Sequence, residues 1–339
     1  MLAHIHQTDF SHVYQMIEEA QARAWKEVNK SLITLYWNIG QYVSAKIEQD
    51  GWGKSVVEQL SDYILSQRNN IKGFSARNIW RMKQFYETYK EHEKLSTLLT
   101  EVEWSNHLHI LSKTKTIEEK EFYIRLVSQH RYSVRAFERL IDTGTYERTM
   151  IGNKNMSTVL AEFPAPTRNI FKDVYAFEFL DLPEGYKEND LRKSLLKDLK
   201  KFLLEMGADF SLIGEEYIVQ VGGKDFRIDI LLHNRALNAL VAVELKITEF
   251  QPEYLGKMQF YLEALDRDVK KAHENPSIGI LICKTKDDEV VEYALSRNMS
   301  ATMIAEYETK LIDKERLQRK LHEFSETFEA EESLKLDEK

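Results

Sequence analysis

Phe226 to Lys246, FRIDILLHNRALNALVAVELK, is the stretch whose reading decides the fold. Asp229 sits within one apolar run, Ile228 and Ile230 to Leu232, and Glu244 and Lys246 interrupt a second, Leu240 to Val243 with Leu245 and Ile247. Charges inside β-like runs are costly to bury without a partner or a task. HNRALNA between the runs suits a hairpin connection. Side chains two apart in a strand point the same way, so Glu244 and Lys246 share a face. An antiparallel partner strand brings Asp229 alongside them. Two carboxylates and a lysine on adjacent strands make a divalent-metal site with its own cation. Surface ion pairs generate E-x-K triplets freely in a charge-rich chain. Here both ends of the triplet lie in an apolar run with an acid in the preceding strand, the setting the motif requires.

The flanks predict an α/β pattern around this hairpin. A basic helix runs from about residue 187 to Gly207, and strand-like runs follow at 216–221, 225–233 and 238–247. A helix opens at Pro252, suited to a first helical turn, and reaches about His273. A strand at 277–284, a helix at 287–297 and a strand near 300–307 complete the pattern. Residues 8–148 have helix-period apolar spacing and no proline, which predicts a mainly α-helical domain. Pro164 and Pro166, with the polar GNKNMS before them, mark a boundary. The expected organisation is a helical N-terminal domain at 1–150, a linker at 151–186, the α/β domain at 187–312, and a C-terminal helix with an acidic tail at 313–339.

Ile228-Asp229 and Glu244-Leu245-Lys246 resemble the two halves of the PD-(D/E)XK nuclease signature. The longer run from Leu199 to Asp266 and the later PSIGILICKTKDDEVVEYALS look like the YhcG-type nuclease family, covering about residues 170 to 310. WNIGQYV, GFSARNIWRMKQFY and WSNHLHIL resemble that family's helical N-terminal domain more loosely. The resemblance implies a restriction-endonuclease-like α/β fold with a mixed central sheet flanked by helices, a divalent metal and DNA as substrate. It also implies an acid on the helix before the first strand. The position expected to carry it is Arg192, and Asp198, Glu205, Glu215 and Glu216 do not align with it.

The chemistry expected is phosphodiester hydrolysis. Asp229 and Glu244 would bind Mg²⁺ or Mn²⁺ through oxygen, with the backbone carbonyl of Leu245 as a further ligand. Lys246 would orient a water or stabilise charge on the phosphoryl oxygens. By analogy with related nucleases, Lys257, Gln259 and Tyr261 on the following helix are candidate phosphate contacts, and they read equally as helix surface or core.

In the N-terminal half, Gly73 gives a turn and Ser75 can cap a helix whose Arg77 and Arg81 share a face. With Lys72 and Lys83 this suits a helix-turn-helix-like DNA-binding element, and equally an amphipathic helix with a solvated basic face. His107 and His109 are two apart, which on a helix points them to different faces, so packing or a hydrogen bond is expected rather than a metal. Trp25, Trp37, Trp80 and Trp104 fall among apolar helical positions and are expected in the core.

Composition bounds the remainder. The chain of 339 residues has room for two domains, and 43% hydrophobic with 30% charged residues describes a globular protein. No apolar run is long enough for a membrane span, the N-terminus lacks a secretory pattern, and a cytoplasmic location is expected. The single cysteine, Cys283, reads as a buried small hydrophobe. The net charge of −8 argues against a polyanion partner, but residues 1–150 carry 20 basic and 19 acidic side chains against 27 and 36 in 151–339. Three functions follow: a metal-dependent DNA endonuclease, a non-cleaving DNA-binding adaptor that Arg192 would favour, and a structural assembly protein. The intact Asp229, Glu244 and Lys246 favour the endonuclease, working as a homodimer without a small-molecule cofactor.

Overall fold

A computed structural model describes residues 2–67, 71–130, 132–152, 155–163 and 170–322, with residues 2–9 as backbone only. Pro164, Pro166 and the acidic tail at 323–339 lie outside the described residues. The chain forms two compact units, Met1–Ile141 and Asp142–Lys339.

The first unit is helical: α1 Leu2–Asp50, α2 Lys54–Gln67, α3 Ala76–Tyr89, α4 Ser96–Glu101, α5 Trp104–Lys113, α6 Ile117–Gln129 and α7 Val134–Asp142. Ser75 caps α3 by accepting the Asn78 N–H, and Gly73 before it has φ +93°. Ile79, Met82, Phe85 and Tyr89 bury one face of α3. Arg77 lies on the exposed side of α3, and Arg81, at the edge of the buried face, is half-buried. Among the described residues, 71–75 before α3 are not helical, already more than the three- to four-residue turn of a helix-turn-helix. Lys83 pairs with Glu87 at 2.6 Å, and Lys72 is exposed.

His107 is fully buried against Phe85 and Trp104, and its Nε2 lies 2.9 Å from the Leu99 carbonyl oxygen, a packed and hydrogen-bonded histidine rather than a ligand. Trp37, Trp80 and Trp104 are partly buried, but Trp25 is 62% exposed, against the expectation of a core position. It stands at the edge of the packed part of α1, beside half-buried Ala22 and Asn29, so helical spacing alone misplaced it.

The second unit contains α8 Thr145–Gly152, α9 Thr158–Ala161, β1 Val174–Ala176, α10 Glu188–Lys197, α11 Leu199–Met206, β2 Phe210–Val221, β3 Lys224–Asn234, β4 Ala239–Glu249, α12 Glu253–Asp268, β5 Asn275–Thr285, α13 Asp288–Leu295 and β6 Thr302–Glu308. A further helical stretch covers 314–322. The sheet order is β1-β6-β5-β4-β3-β2; β1, β6, β5 and β4 pair in parallel, and β2, β3 and β4 antiparallel. Apolar layers cover both faces. Val241, Val243 and Leu245 face a cluster with Phe177, Leu191 and Phe202, while Leu240 and Ala242 face α12 through Met258 and Leu262. Gly279 on β5 gives α12 room, because a Cβ there would meet Met258 at 2.6 Å.

Two expectations change here. Much of 151–186 is not a linker: Phe171, Tyr175 and Phe177 are fully buried, and β1 extends the sheet. The helix expected from 187 to 207 breaks at Asp198 into α10 and α11. The unit boundary falls before α8 because Arg148 is buried in the second unit. Its guanidinium bonds Glu205 Oε1, the Val174 carbonyl at 2.8 Å and the Thr143 carbonyl at 2.9 Å. Glu205 also accepts the Ala176 N–H at 3.0 Å, which ties α11 to β1.

Burial lowers the His107 imidazole from 6.5 to about 4, although the Leu99 carbonyl opposes the shift. A folded-state value below the unfolded one gives stability that is present above pH 6.5 and is lost as the pH falls towards 4. Urea titrations from pH 7 to 4 should show a loss of about 3 kcal/mol from this group that His107→Gln lacks. Equal pH slopes in the two proteins would refute it.

Candidate active site

The site forms where the β3–β4 ladder opens. The ladder ends at Ile230 opposite Val243, and continuing it would place Asp229 opposite Glu244. Side chains replace the ladder at that point. Asp229 Oδ2 accepts the Leu245 N–H at 2.9 Å, and Glu244 Oε1 accepts the Asp229 N–H at 3.4 Å. The hairpin that sets this register closes through Asn238, whose φ of +47° suits asparagine.

Three cations converge on the two carboxylates from three elements. Lys257 of α12 reaches Glu244 Oε2 at 2.8 Å, Lys246 lies 3.5 Å from the same oxygen, and Arg192 of α10 lies 3.5 Å from Asp229 Oδ1. Lys246 Nζ also donates to the Leu245 carbonyl at 2.9 Å and to Glu188 Oε1 at 2.8 Å. Arg192 further bonds Glu216 at 3.0 Å and Asn189 at 2.8 Å. Glu216 has a φ of +42°, a conformation costly for a side chain with a Cβ and one that recurs at functional sites.

Glu188 is the acid that sequence reasoning missed. It stands four residues before Arg192, so both share one face of α10. Asp190 accepts the Lys187 N–H at 2.9 Å and fixes where α10 starts, which sets Glu188 in the first turn. The signal was available as an i, i+4 shift of the expected position. The other acids considered lie elsewhere: Glu205 is buried on Arg148, Asp198 pairs with Lys201 at 3.0 Å, Glu215 is exposed, and Glu216 holds Arg192.

The α12 candidates divide by helix phase. Lys257 and Tyr261 are four apart and face the site, with the Lys257 ammonium 5.1 Å from the Tyr261 ring centre. The Tyr261 hydroxyl donates to the Arg227 carbonyl. Gln259, about 200° around the helix from Lys257, is exposed and is not brought to the carboxylates.

Burial raises the Glu244 carboxyl and the Asp229 charge adds to it, while Lys257 and Lys246 pull it back. Burial pushes the Lys246 amine down, but the bond to Glu188 and the charges of Glu244, Glu188 and Asp229 outweigh this and leave it above the ordinary lysine value. These carboxylates therefore favour the charged form of Lys246. Among the described residues no three His, Cys, Asp or Glu side chains are close enough together to hold a metal ion. The donor set nevertheless fits a hard divalent cation: two adjacent carboxylates and a carbonyl, one carboxylate buried and raised by its neighbour's charge.

A mixed sheet covered by helices on both faces, with an Asp and a Glu-x-Lys at the fork of two antiparallel strands, defines a PD-(D/E)XK-type nuclease domain. Residues 168–322 match the family described as YhcG PDDEXK nuclease domain, and residues 12–148 match the DUF1016 N-terminal domain. The nuclease domain of the chain thus belongs to the YhcG PDDEXK family, and the DUF1016 match covers most of the helical half. The chain is 28% identical to "Putative nuclease YhcG" of Escherichia coli (strain K12) over an alignment of 344 positions that covers 90% of this chain and 90% of that protein. A crystal structure of a repair endonuclease from Pyrococcus abyssi overlaps 38% of this chain and 50% of its own, with a TM-score of 0.25 at 18% identity. So partial an overlap supports no functional argument. No described helix is long and apolar enough to cross a membrane.

Glu188→Gln should lower the Lys246 amine, since the largest pull upward is removed. Reductive ¹³C-methylation followed by NMR titration reads that amine directly. An unmoved Lys246 resonance would remove Glu188 from the site.

Proposed function

We propose that this protein is a metal-dependent DNA endonuclease that hydrolyses phosphodiester bonds with Asp229, Glu244 and Lys246, assisted by Glu188. The observation that carries the reading is the opened β3–β4 fork, where two carboxylates and a lysine are held within hydrogen-bond reach. Asp229, Glu244 and the Leu245 carbonyl would hold Mg²⁺ or Mn²⁺, which when bound polarises the scissile phosphate and lowers the pKa of water. Water adds to phosphorus, the bond from phosphorus to the leaving oxygen breaks, and that oxygen takes a proton. Lys246 keeps its own proton in this scheme, so it orients the water and stabilises charge on the phosphoryl oxygens. Lys257 and Arg192, which balance the carboxylates, are placed to turn towards the phosphate once those carboxylates have another cation.

The DNA-binding part of the proposal rests on the solvent face of α3, with Arg77, Arg81, Lys72 and Lys83 meeting the phosphate backbone. A homodimer in the cytoplasm completes it, since one site cuts one strand at a time. The adaptor reading drew its support from an absent helix acid, and Glu188 supplies one beside Lys246.

Plasmid and branched DNA should be cut with Mg²⁺ or Mn²⁺ and left intact with EDTA. Asp229→Ala and Lys246→Ala should each lower the rate by about a hundred- to a thousandfold with binding retained. Binding without cutting by the wild type on every DNA tried would instead favour the adaptor. Arg77→Ala with Arg81→Ala should weaken DNA binding and flatten its salt dependence by about one phosphate contact per arginine. An unchanged salt slope would take α3 out of the interface.

A further inference from the structure

β3 runs past the fork. It pairs with β4 only from Ile230 onward, whereas its pairing with β2 continues out to Lys224 opposite Val221. Gly222 and Gly223 close this hairpin with φ of +58° and +73°, the two left-handed positions of a tight two-residue turn. The ladder twists at Asp229, where Glu216 with its left-handed backbone falls opposite on β2. In a flat strand Ile228 and Ile230 would share a face. Here Ile230 joins the layer of Val243, while Ile228, Val219 and Phe226 turn onto α12. Phe226 packs on Phe260 with ring centres 4.6 Å apart, and the Tyr261 hydroxyl donates to the Arg227 carbonyl. The hairpin beyond the fork is thus an arm clamped to α12 along one face.

Its other face is open. Ile218, Gln220, Asp225 and Arg227 are all exposed there, with Asp225 bonded to Gln220 at 3.3 Å. The Arg227 side chain is 62% exposed, and among the described residues the one carboxylate within its reach is Glu216, at 4.0 Å. The same Glu216 oxygen already takes Arg192 at 3.0 Å, and Arg192 in turn lies 3.5 Å from Asp229. Arg192, Lys246 and Lys257 each contact Asp229 or Glu244, and Arg227 contacts neither. The arm therefore holds out a guanidinium beside the site that the two carboxylates do not use, fixed at its backbone and open to solvent at its head.

We propose that Arg227 holds a DNA phosphate flanking the scissile one, with the β2–β3 arm lying along the substrate strand. The inference deepens the nuclease reading and rests on it for what occupies the fork. Arg227 precedes Asp229 by two residues, which sets their Cα atoms about 7 Å apart along β3. Successive phosphates of one strand advance by about 3.4 Å along a duplex, so a strand with one phosphate at the fork brings a flanking phosphate within reach of the arm. With α12 against its other face, the arm is approached on this face alone. A guanidinium suits the task, because its fixed fork of donors matches two phosphate oxygens at once.

Affinity is read by fluorescence anisotropy in EDTA, on duplexes that carry one uncharged methylphosphonate at successive positions. Arg227→Ala should raise the dissociation constant about tenfold and lower the salt slope by about one phosphate contact. Its thermal midpoint should not change, because the side chain is exposed. A methylphosphonate beside the cut should weaken the wild type by the same factor and weaken Arg227→Ala no further. Equal penalties in the two proteins at every position, or unaltered binding by Arg227→Ala, would overturn this inference, and cutting by the same wild-type preparation with Mg²⁺ would leave the nuclease reading standing. The expected pattern without cutting of any DNA would overturn the nuclease reading and keep Arg227 as a phosphate contact. A wild type that binds no DNA, with or without Mg²⁺, would overturn both.

Discussion

Asp229 and Glu244 must share a small space at the fork of β3 and β4, and their mutual repulsion governs what surrounds them. Two carboxylates this close cannot both lose water without compensation. The fold answers with cations from separate elements: Arg192 from α10, Lys257 from α12 and Lys246 from β4 itself. Two of the helices that pack on the sheet, α10 and α12, therefore carry a charge the site needs. Gly279 matters for the same reason, because it lets α12 approach closely enough to present Lys257.

A second buried ionic group holds the other side of the domain. Arg148 and Glu205 are both fully buried and bonded to each other; the Thr143 and Thr145 hydroxyls, the Lys172 ammonium and backbone groups of Val174, Thr143 and Ala176 take further bonds. Removing one partner of such a pair leaves an uncompensated charge, the expensive case for buried ions. The consequence for the site is indirect. Glu205 sits on α11, which follows α10 directly, so anchoring α11 to β1 also limits where Glu188 and Arg192 can lie.

Much of this was legible from residues alone, for identifiable reasons. The β2 to β6 pattern announced itself because long apolar runs of period two have few alternative structures. Asp229, Glu244 and Lys246 stood out because each interrupts such a run. Glu188 did not, since an acid in a charge-rich first helical turn has many ordinary explanations. The residues near β1 resembled a linker because their prolines and polar neighbours hid three aromatic core residues, Phe171, Tyr175 and Phe177. Trp25 failed differently: its periodicity is that of a buried residue, but the helices nearest to it leave a cavity beside the ring instead of packing on it.

What the sequence determined by itself is the local chemistry: which segments are strands, where charge enters them, and which side chains share a strand face or a helix turn. Those properties depend on spacing of two or 3.6 residues and need no distant neighbour. Only the tertiary structure decided that Lys257 rather than Gln259 meets Glu244, that Glu188 bonds Lys246, and that Glu205 serves Arg148 instead of the site. The physical reason is that burial and pairing of a charge are set by the elements packed around it, and α10, α11 and α12 are brought to the sheet by apolar contacts far along the chain.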